Sequence, residues 1–233
     1  MMNNAEKPQL TIPRVIGCLS FFNADNLEIM RGFKDKEFDL AIVDPPYGID
    51  IDFSRYNKLN KLQRPKTEWD KTIPEKEYFE QLFRISKNQI IWGGEYFNLP
   101  ISTHWISWDK RVTEEADKIY GAQFELAWAT TGGHKMCRIQ HAAAINADGD
   151  ARRIHPTQKP IKLYEWIIQN YAKCGFKIID THLGSGSIAI AVEKANRLDK
   201  MNLQFVGIEI DKEYYEKALN RIEQYCRQGT LSF

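Results

Sequence analysis

Residues 177–191 read Lys177-Ile178-Ile179-Asp180-Thr181-His182-Leu183-Gly184-Ser185-Gly186-Ser187-Ile188-Ala189-Ile190-Ala191. A short apolar run ends at an acid, crosses a turn with two glycines and enters an apolar-rich stretch of helical length. Glycine lets a backbone approach a ligand closely, and the N–H groups that open a helix favour an anion. A Gly-x-Gly turn also joins strands to helices without any ligand, so it does not specify one. Weight comes from Val206-Gly207-Ile208-Glu209-Ile210-Asp211, a second strand ending in acids at the separation expected for gripping ribose hydroxyls. The chain lacks GxxxxGK[ST], which argues against a P-loop nucleotidase.

Outward from this unit, strand patterns fall at 15–22, 38–43, 89–92, 104–108, 124–129, 177–180 and 204–210, and helical patterns at 74–86, 161–172, 187–196 and 212–228. Their alternation predicts a doubly wound α/β sheet with helices on both faces. Only the polar stretch 109–123 separates the fourth and fifth strands, so they are expected to be an antiparallel edge pair. With 233 residues, 43% hydrophobic and 12% aromatic, the chain suits one domain spanning 1–233.

No run of about 18 apolar residues or apolar leader occurs. Cys18, Cys137, Cys174 and Cys226 form no CxxC pair. A cytoplasmic protein with reduced thiols is the expectation. A net charge of +1 gives no global attraction to nucleic acid, so affinity must come from local patches. One lies at 54–71, where Arg55, Lys58, Lys61 and Arg64 stand among the basic residues. Another lies at 132–153, with Lys135, Arg138 and Arg152 on a Gly- and Ala-rich background. These seven are the candidate DNA contacts, and both stretches read as loops or small insertions. His134, Cys137 and His141 lack a nearby fourth ligand, so a recognition loop is expected there and no metal.

Asp44-Pro45-Pro46-Tyr47-Gly48 follows the strand 38–43, at the carboxyl end of a strand where open α/β sheets bind ligands. A Pro-Pro turn capped by Asp44 is the plain alternative. The chemical reading starts from the amine of adenine or cytosine, a poor nucleophile because its lone pair is delocalised into the ring. A carboxylate accepting one N–H and a carbonyl accepting the other would localise that lone pair. Asp44 and the Pro45 carbonyl suit these roles, the Pro45-Pro46 turn fixes the carbonyl's direction, and Tyr47 offers a ring for an extruded base. Further on, Arg153-Ile154-His155-Pro156-Thr157-Gln158-Lys159-Pro160 precedes a helix, and Thr157 with Lys159 forms a donor pair suited to a carboxylate.

The order of these motifs resembles the beta group of DNA amino-methyltransferases, in which the DPPY element precedes the cofactor half of the fold. The likeness runs from about residue 15 to 225 and takes in Ile90-Ile91-Trp92-Gly93-Gly94 and Glu125-Leu126-Ala127-Trp128. It implies a circularly permuted, Rossmann-like class I methyltransferase fold with a mixed seven-stranded sheet, S-adenosylmethionine as cofactor and double-stranded DNA with a flipped base as substrate. Asp44, Pro45, Pro46 and Tyr47 then form the catalytic element. Asp25 is expected at the cofactor's adenine amine, Glu209 at its ribose, and Thr157 and Lys159 at its carboxylate. Asp180 and Gly184-Ser185-Gly186 are expected on the methionine side, with His155, Gln158, Leu183, Ile210 and Asp211 completing the surroundings.

Thr181 and His182 stand where members commonly carry Pro-Phe, which makes a contact beside the cofactor polar. The expected target-recognition insertion, 132–153, is short. Asp44, where many cytosine enzymes carry Ser, favours N6 of adenine over N4 of cytosine. An inactive cofactor- or nucleic-acid-binding subunit is the reading from another class, and the intact Asp44, Tyr47 and Gly186 argue against it. A restriction-modification setting and a homodimer are further expectations from the family.

Overall fold

Alternation along the central strands sends side chains to opposite faces, and each face buries its own core. Leu40, Ile42, Ile90, Trp92 and Ile178 fall in one cluster, whereas Ala41, Val43, Ile91 and Ile179 fall in the other. In the computed structural model the residues described are 12–49, 72–111, 122–140, 154–155 and 157–230. The strands are β1 (Arg14–Ile16), β2 (Leu19–Asn23), β3 (Phe38–Val43), β4 (Ser86–Trp92), β5 (Trp105–Asp109), β6 (Phe124–Ala129), β7 (His134–Arg138), β8 (Lys177–Asp180) and β9 (Gln204–Glu209). They form one sheet in the order β1-β2-β9-β8-β3-β4-β6-β5-β7.

The helices are α1 (Asn26–Gly32), α2 (Lys76–Ile85), α3 (Ile161–Tyr171), α4 (Ser187–Asp199) and α5 (Lys212–Thr230). Residues of α1 and α2 pack in one core, and those of α3, α4 and α5 pack in the other, so helices cover both faces. The five strands β2, β9, β8, β3 and β4 are parallel, with the amino-terminal β2 beside the carboxyl-terminal β9, as circular permutation requires. β6 runs antiparallel to both β4 and β5. Its first residues therefore lie at the edge where the parallel strands end.

The sheet differs from the expected seven strands in two places. The single strand expected at 15–22 is broken at Gly17, whose φ of +59° turns β1 back antiparallel on β2. The stretch after residue 132, expected to be a loop, contributes β7, parallel to β5, so β7 and not the β5–β6 pair forms that edge. Cys137 is buried and His134 exposed in this strand, and positions three apart point to opposite faces. Helix α2 begins at Lys76, two residues later than the helical pattern, after an N-cap Glu75 with no side-chain cap bond. No described helix is long and apolar enough to cross a membrane.

Candidate active site

The carboxyl ends of β3 and β8 meet where the chain's connections diverge, and a cavity of about 460 Å³ opens there. Leu183, Gly184 and Ser185 line one side, Glu209, Ile210 and Asp211 another, and His155, Thr157, Gln158 and Lys159 close it from the segment before α3. Asp44 and Pro46 reach it from the end of β3. Most of the residues expected around a cofactor thus line one cavity, with three exceptions. Asp25 is exposed and caps α1, its Oδ1 accepting from the Glu28 N–H at 3.0 Å, while Ala24 and Asn26 line the cavity. Asp180 and Gly186 are buried and do not line the cavity.

Glu209 is fixed at the end of β9 by two backbone donors, Gly184 N–H at 2.8 Å and Asp211 N–H at 3.0 Å, which donate to opposite carboxylate oxygens. Burial pushes its carboxyl upward, partly offset by those donors. Asp180 is buried and accepts the His182 N–H at 2.9 Å; burial pushes its pKa up to about 8. The glycine turn is supported from beneath by the buried Arg221, which donates to Ser185 O at 2.9 Å and Ser187 Oγ at 3.0 Å. No sequence signal pointed to Arg221. His155 packs edge-on against Tyr214 at 4.5 Å, and burial, with Lys159 nearby, lowers its pKa to about 4.

Thr181 and His182 build a polar corner. Tyr78 Oη and Thr181 Oγ1 are 2.7 Å apart, and Asn26 Nδ2 lies 3.1 Å from His182 Nε2. Asn26 donates there, which assigns the ring proton to Nδ1, 3.0 Å from Thr181 Oγ1. Burial lowers the His182 pKa to about 3, so the ring is neutral near pH 7.

A second cavity of about 200 Å³ shares Asp44, Pro46, Thr157 and Lys159 with the first. Pro45, Tyr47, Tyr96, Phe124 and Glu125 also line it. Tyr47 donates to Asp44 Oδ1 at 2.6 Å and stacks on Tyr96, with ring centres 5.1 Å apart and planes 12° from parallel. A Cβ at Gly93 would lie 2.3 Å from the Tyr47 ring, so this position admits glycine alone. Lys159, expected at the cofactor's carboxylate, is 5% exposed and donates to Asp44 Oδ2 at 2.5 Å. Its Nζ is also 3.3 Å from Glu125 Oε2.

Among the candidate DNA contacts, Lys135 donates to Asn170 Oδ1 at 2.9 Å and Arg138 donates to the buried Asp109 at 2.9 Å. Both sit in β7, away from the two cavities. Arg55, Lys58, Lys61, Arg64, Arg152 and His141 lie outside the described residues.

Residues 100–220 match the N6/N4 methyltransferase family model, described as DNA methylase. The chain belongs to this DNA methylase family. Its relatives include the Type II methyltransferase M.HpaI of Haemophilus parainfluenzae, 23% identical over 84% of this chain and 72% of that one. The Type II methyltransferase M2.DpnII of Streptococcus pneumoniae is 23% identical over 86% of this chain and 88% of its own length. Among solved structures, the M1.HpyAVI–SAM complex aligns with a TM-score of 0.54 at 18% identity, covering 88% of this chain and 98% of that one. PvuII DNA methyltransferase, cytosine-N4-specific, also aligns at 0.54, with 12% identity over 91% of each chain. These likenesses place the DNA methylase on the class I methyltransferase fold.

Proposed function

We propose that this DNA methylase transfers a methyl group from S-adenosylmethionine to N6 of an adenine extruded from double-stranded DNA. The observation that carries the reading is the junction of the two cavities at Asp44, Pro46, Thr157 and Lys159. A cavity of about 460 Å³ is of ligand size, and one of about 200 Å³ beside it suits a single base.

The larger cavity has the donors and acceptors that a nucleoside with an amino-acid tail needs. Glu209 keeps lone pairs for a ribose diol, the exposed Ile210 offers an apolar surface for an adenine ring, and the turn at Gly184 and Ser185 brings the backbone close. S-adenosylmethionine supplies an electrophilic methyl carried on a positively charged sulfur. Asp44 and the Pro45 carbonyl would take the two N–H bonds of the target amine and turn its lone pair toward that methyl. Tyr47 and Tyr96 give the base aromatic surface, and the apolar Phe124 and Ile49 screen it from water. As the nitrogen gains positive charge, the Asp44 carboxylate stabilises it.

The choice of adenine rests on Asp44. Incubation with labelled S-adenosylmethionine and mixed-sequence DNA, followed by digestion to nucleosides, tests both substrate and base. Label in N6-methyladenine is expected. Label in N4-methylcytosine would correct the base, and unlabelled nucleosides would overturn the activity.

A further inference from the structure

Before any substrate arrives, Asp44 has both oxygens engaged: Tyr47 Oη donates to Oδ1 and Lys159 Nζ to Oδ2. An amine that binds Asp44 through N–H must displace one of these donors. The neutral Tyr47 hydroxyl can turn or share its oxygen, but the ammonium holds Oδ2 with a full charge. Lys159 cannot retreat to water, because it is buried with the Trp92 ring 5.1 Å from its Nζ and the Tyr47 ring 5.9 Å away. It needs a second carboxylate within a short movement.

Glu125 supplies one. The antiparallel direction of β6 brings this residue, near the strand's start, to the edge where β3 and β4 end. Its Oε1 is held by Lys110. Its Oε2 is buried and lies 3.3 Å from Lys159 Nζ, close enough to attract the charge, yet it has no properly directed hydrogen bond among the described residues. Burial works to raise the Glu125 carboxyl, but Lys159 and Lys110 outweigh it and hold the pKa at about 2, so the acceptor stays charged.

We propose that Glu125 is a positioning residue that receives the Lys159 ammonium when the target amine takes Asp44. This rests on the reading of Asp44 as the amine's acceptor. Lys110 and Lys159 face Asp44 and Glu125, with Glu95 also lining the second cavity, before and after the movement, so no net charge is created and no proton is transferred. With Lys159 withdrawn, Asp44 Oδ2 is free to face the nitrogen as it becomes positive, while Oδ1 keeps the neutral Tyr47 donor. Burying an unpaired ammonium would be costly, which is why the movement requires Glu125.

Single-turnover methylation at saturating DNA, with cofactor affinity measured separately by calorimetry, tests the relay. Glu125→Gln should slow transfer at least about tenfold while leaving the cofactor dissociation constant within about twofold. Glu125→Asp keeps the charge on a shorter arm and should recover part of the rate. Adding Lys159→Met to Glu125→Gln should cause no further loss, since the competitor for Oδ2 is then gone. A wild-type rate in Glu125→Gln, or multiplied losses in the double variant, would overturn the role. Should Glu125→Gln fail to fold, an unimpaired Glu125→Asp overturns it instead. Asp44→Asn separates the two readings: if it is active, both fail, and if it is inactive beside a fully active Glu125→Gln, the relay alone fails.

Discussion

Two acids at the ends of β3 and β9, the parallel strands that flank β8, divide the labour in the proposed mechanism, and removing each should give opposite kinetic signatures. Asp44 lines both cavities and is the proposed acceptor of the target amine, so Asp44→Ala should lower turnover by roughly 10² to 10³ and leave cofactor affinity nearly intact. Activity within a few-fold of wild type would remove Asp44 from the mechanism. Glu209 is held by the N–H groups of Gly184 and Asp211 on the cofactor side, remote from the second cavity. Glu209→Ala should raise the dissociation constant of S-adenosylmethionine by the worth of charged hydrogen bonds, about 1.5 to 3 kcal/mol. Turnover at saturating cofactor should fall less. Calorimetry that finds unchanged binding would displace Glu209 from the ribose. Lys159 stands between the two, since it lines both cavities while its ammonium is paired with Asp44.

At the scale of elements, the glycine turn is held in shape by α5. Gly186 caps α4 with a φ of +71°, and a Cβ there would meet Ile222 Cδ1 at 2.8 Å and Ala218 Cβ at 3.4 Å. Gly175 has a φ of +81° with open space around it. Gly175→Ala should therefore cost only the left-handed backbone, about 1 to 2 kcal/mol, and Gly186→Ala measurably more by urea unfolding. Equal costs would mean that packing against α5 contributes nothing. The same contrast between local and remote information decided what was legible in the sequence. The runs Phe38–Val43 and Lys177–Asp180 are apolar and end in punctuated motifs, so strands and the residues following them could be read directly. Helix α1 was missed because its seven residues are too few to establish a period, and β7 because its exposed face carries His134, Met136 and Arg138 on an edge. The resemblance implies a cofactor contact for Asp25, and a short acid at that place also makes the N-cap of α1 that the structure shows. Glu125 and Arg221 acquire their places through strand direction and helix packing, which no local pattern encodes.

For the whole molecule, the buried histidines set a pH dependence of folding. In the unfolded chain, His182 and His155 take a proton near their ordinary value of 6.5, whereas the folded chain resists until about 3 and about 4. The unfolded state thus binds more protons below 6.5, and this contribution to stability declines as pH falls from there. Asp180 works the other way: its folded value of about 8 against an ordinary 3.8 gives stability that is lost as pH rises through that interval. His182→Phe isolates one histidine, and the variant should gain on wild type by at most about 1.4 kcal/mol for each pH unit below 6.5. A stability difference independent of pH would mean that His182 is not held neutral. Attraction to DNA is likewise a property of charge placement, since the total of +1 supplies none. A Cβ at Gly48 would lie 2.9 Å from Ile73 Cγ2, so the chain leaves and returns at one point, beside Ile49 on the second cavity. Between these ends, residues 54–71 hold Arg55, Lys58, Lys61, Arg64, Lys66 and Lys71 against Glu68 and Asp70. Each cation that neutralises a phosphate adds close to one unit to the salt dependence of binding. Changing Lys58, Lys61 and Arg64 together to Ala should weaken DNA binding and flatten the plot of log affinity against log salt by roughly two to three units. The methylated base should not change, because phosphate contacts position a duplex and do not read it. An unaltered slope would turn attention to 132–153, where Lys135 and Arg138 are already bound to Asn170 and Asp109 and would have to give up those partners to reach phosphate.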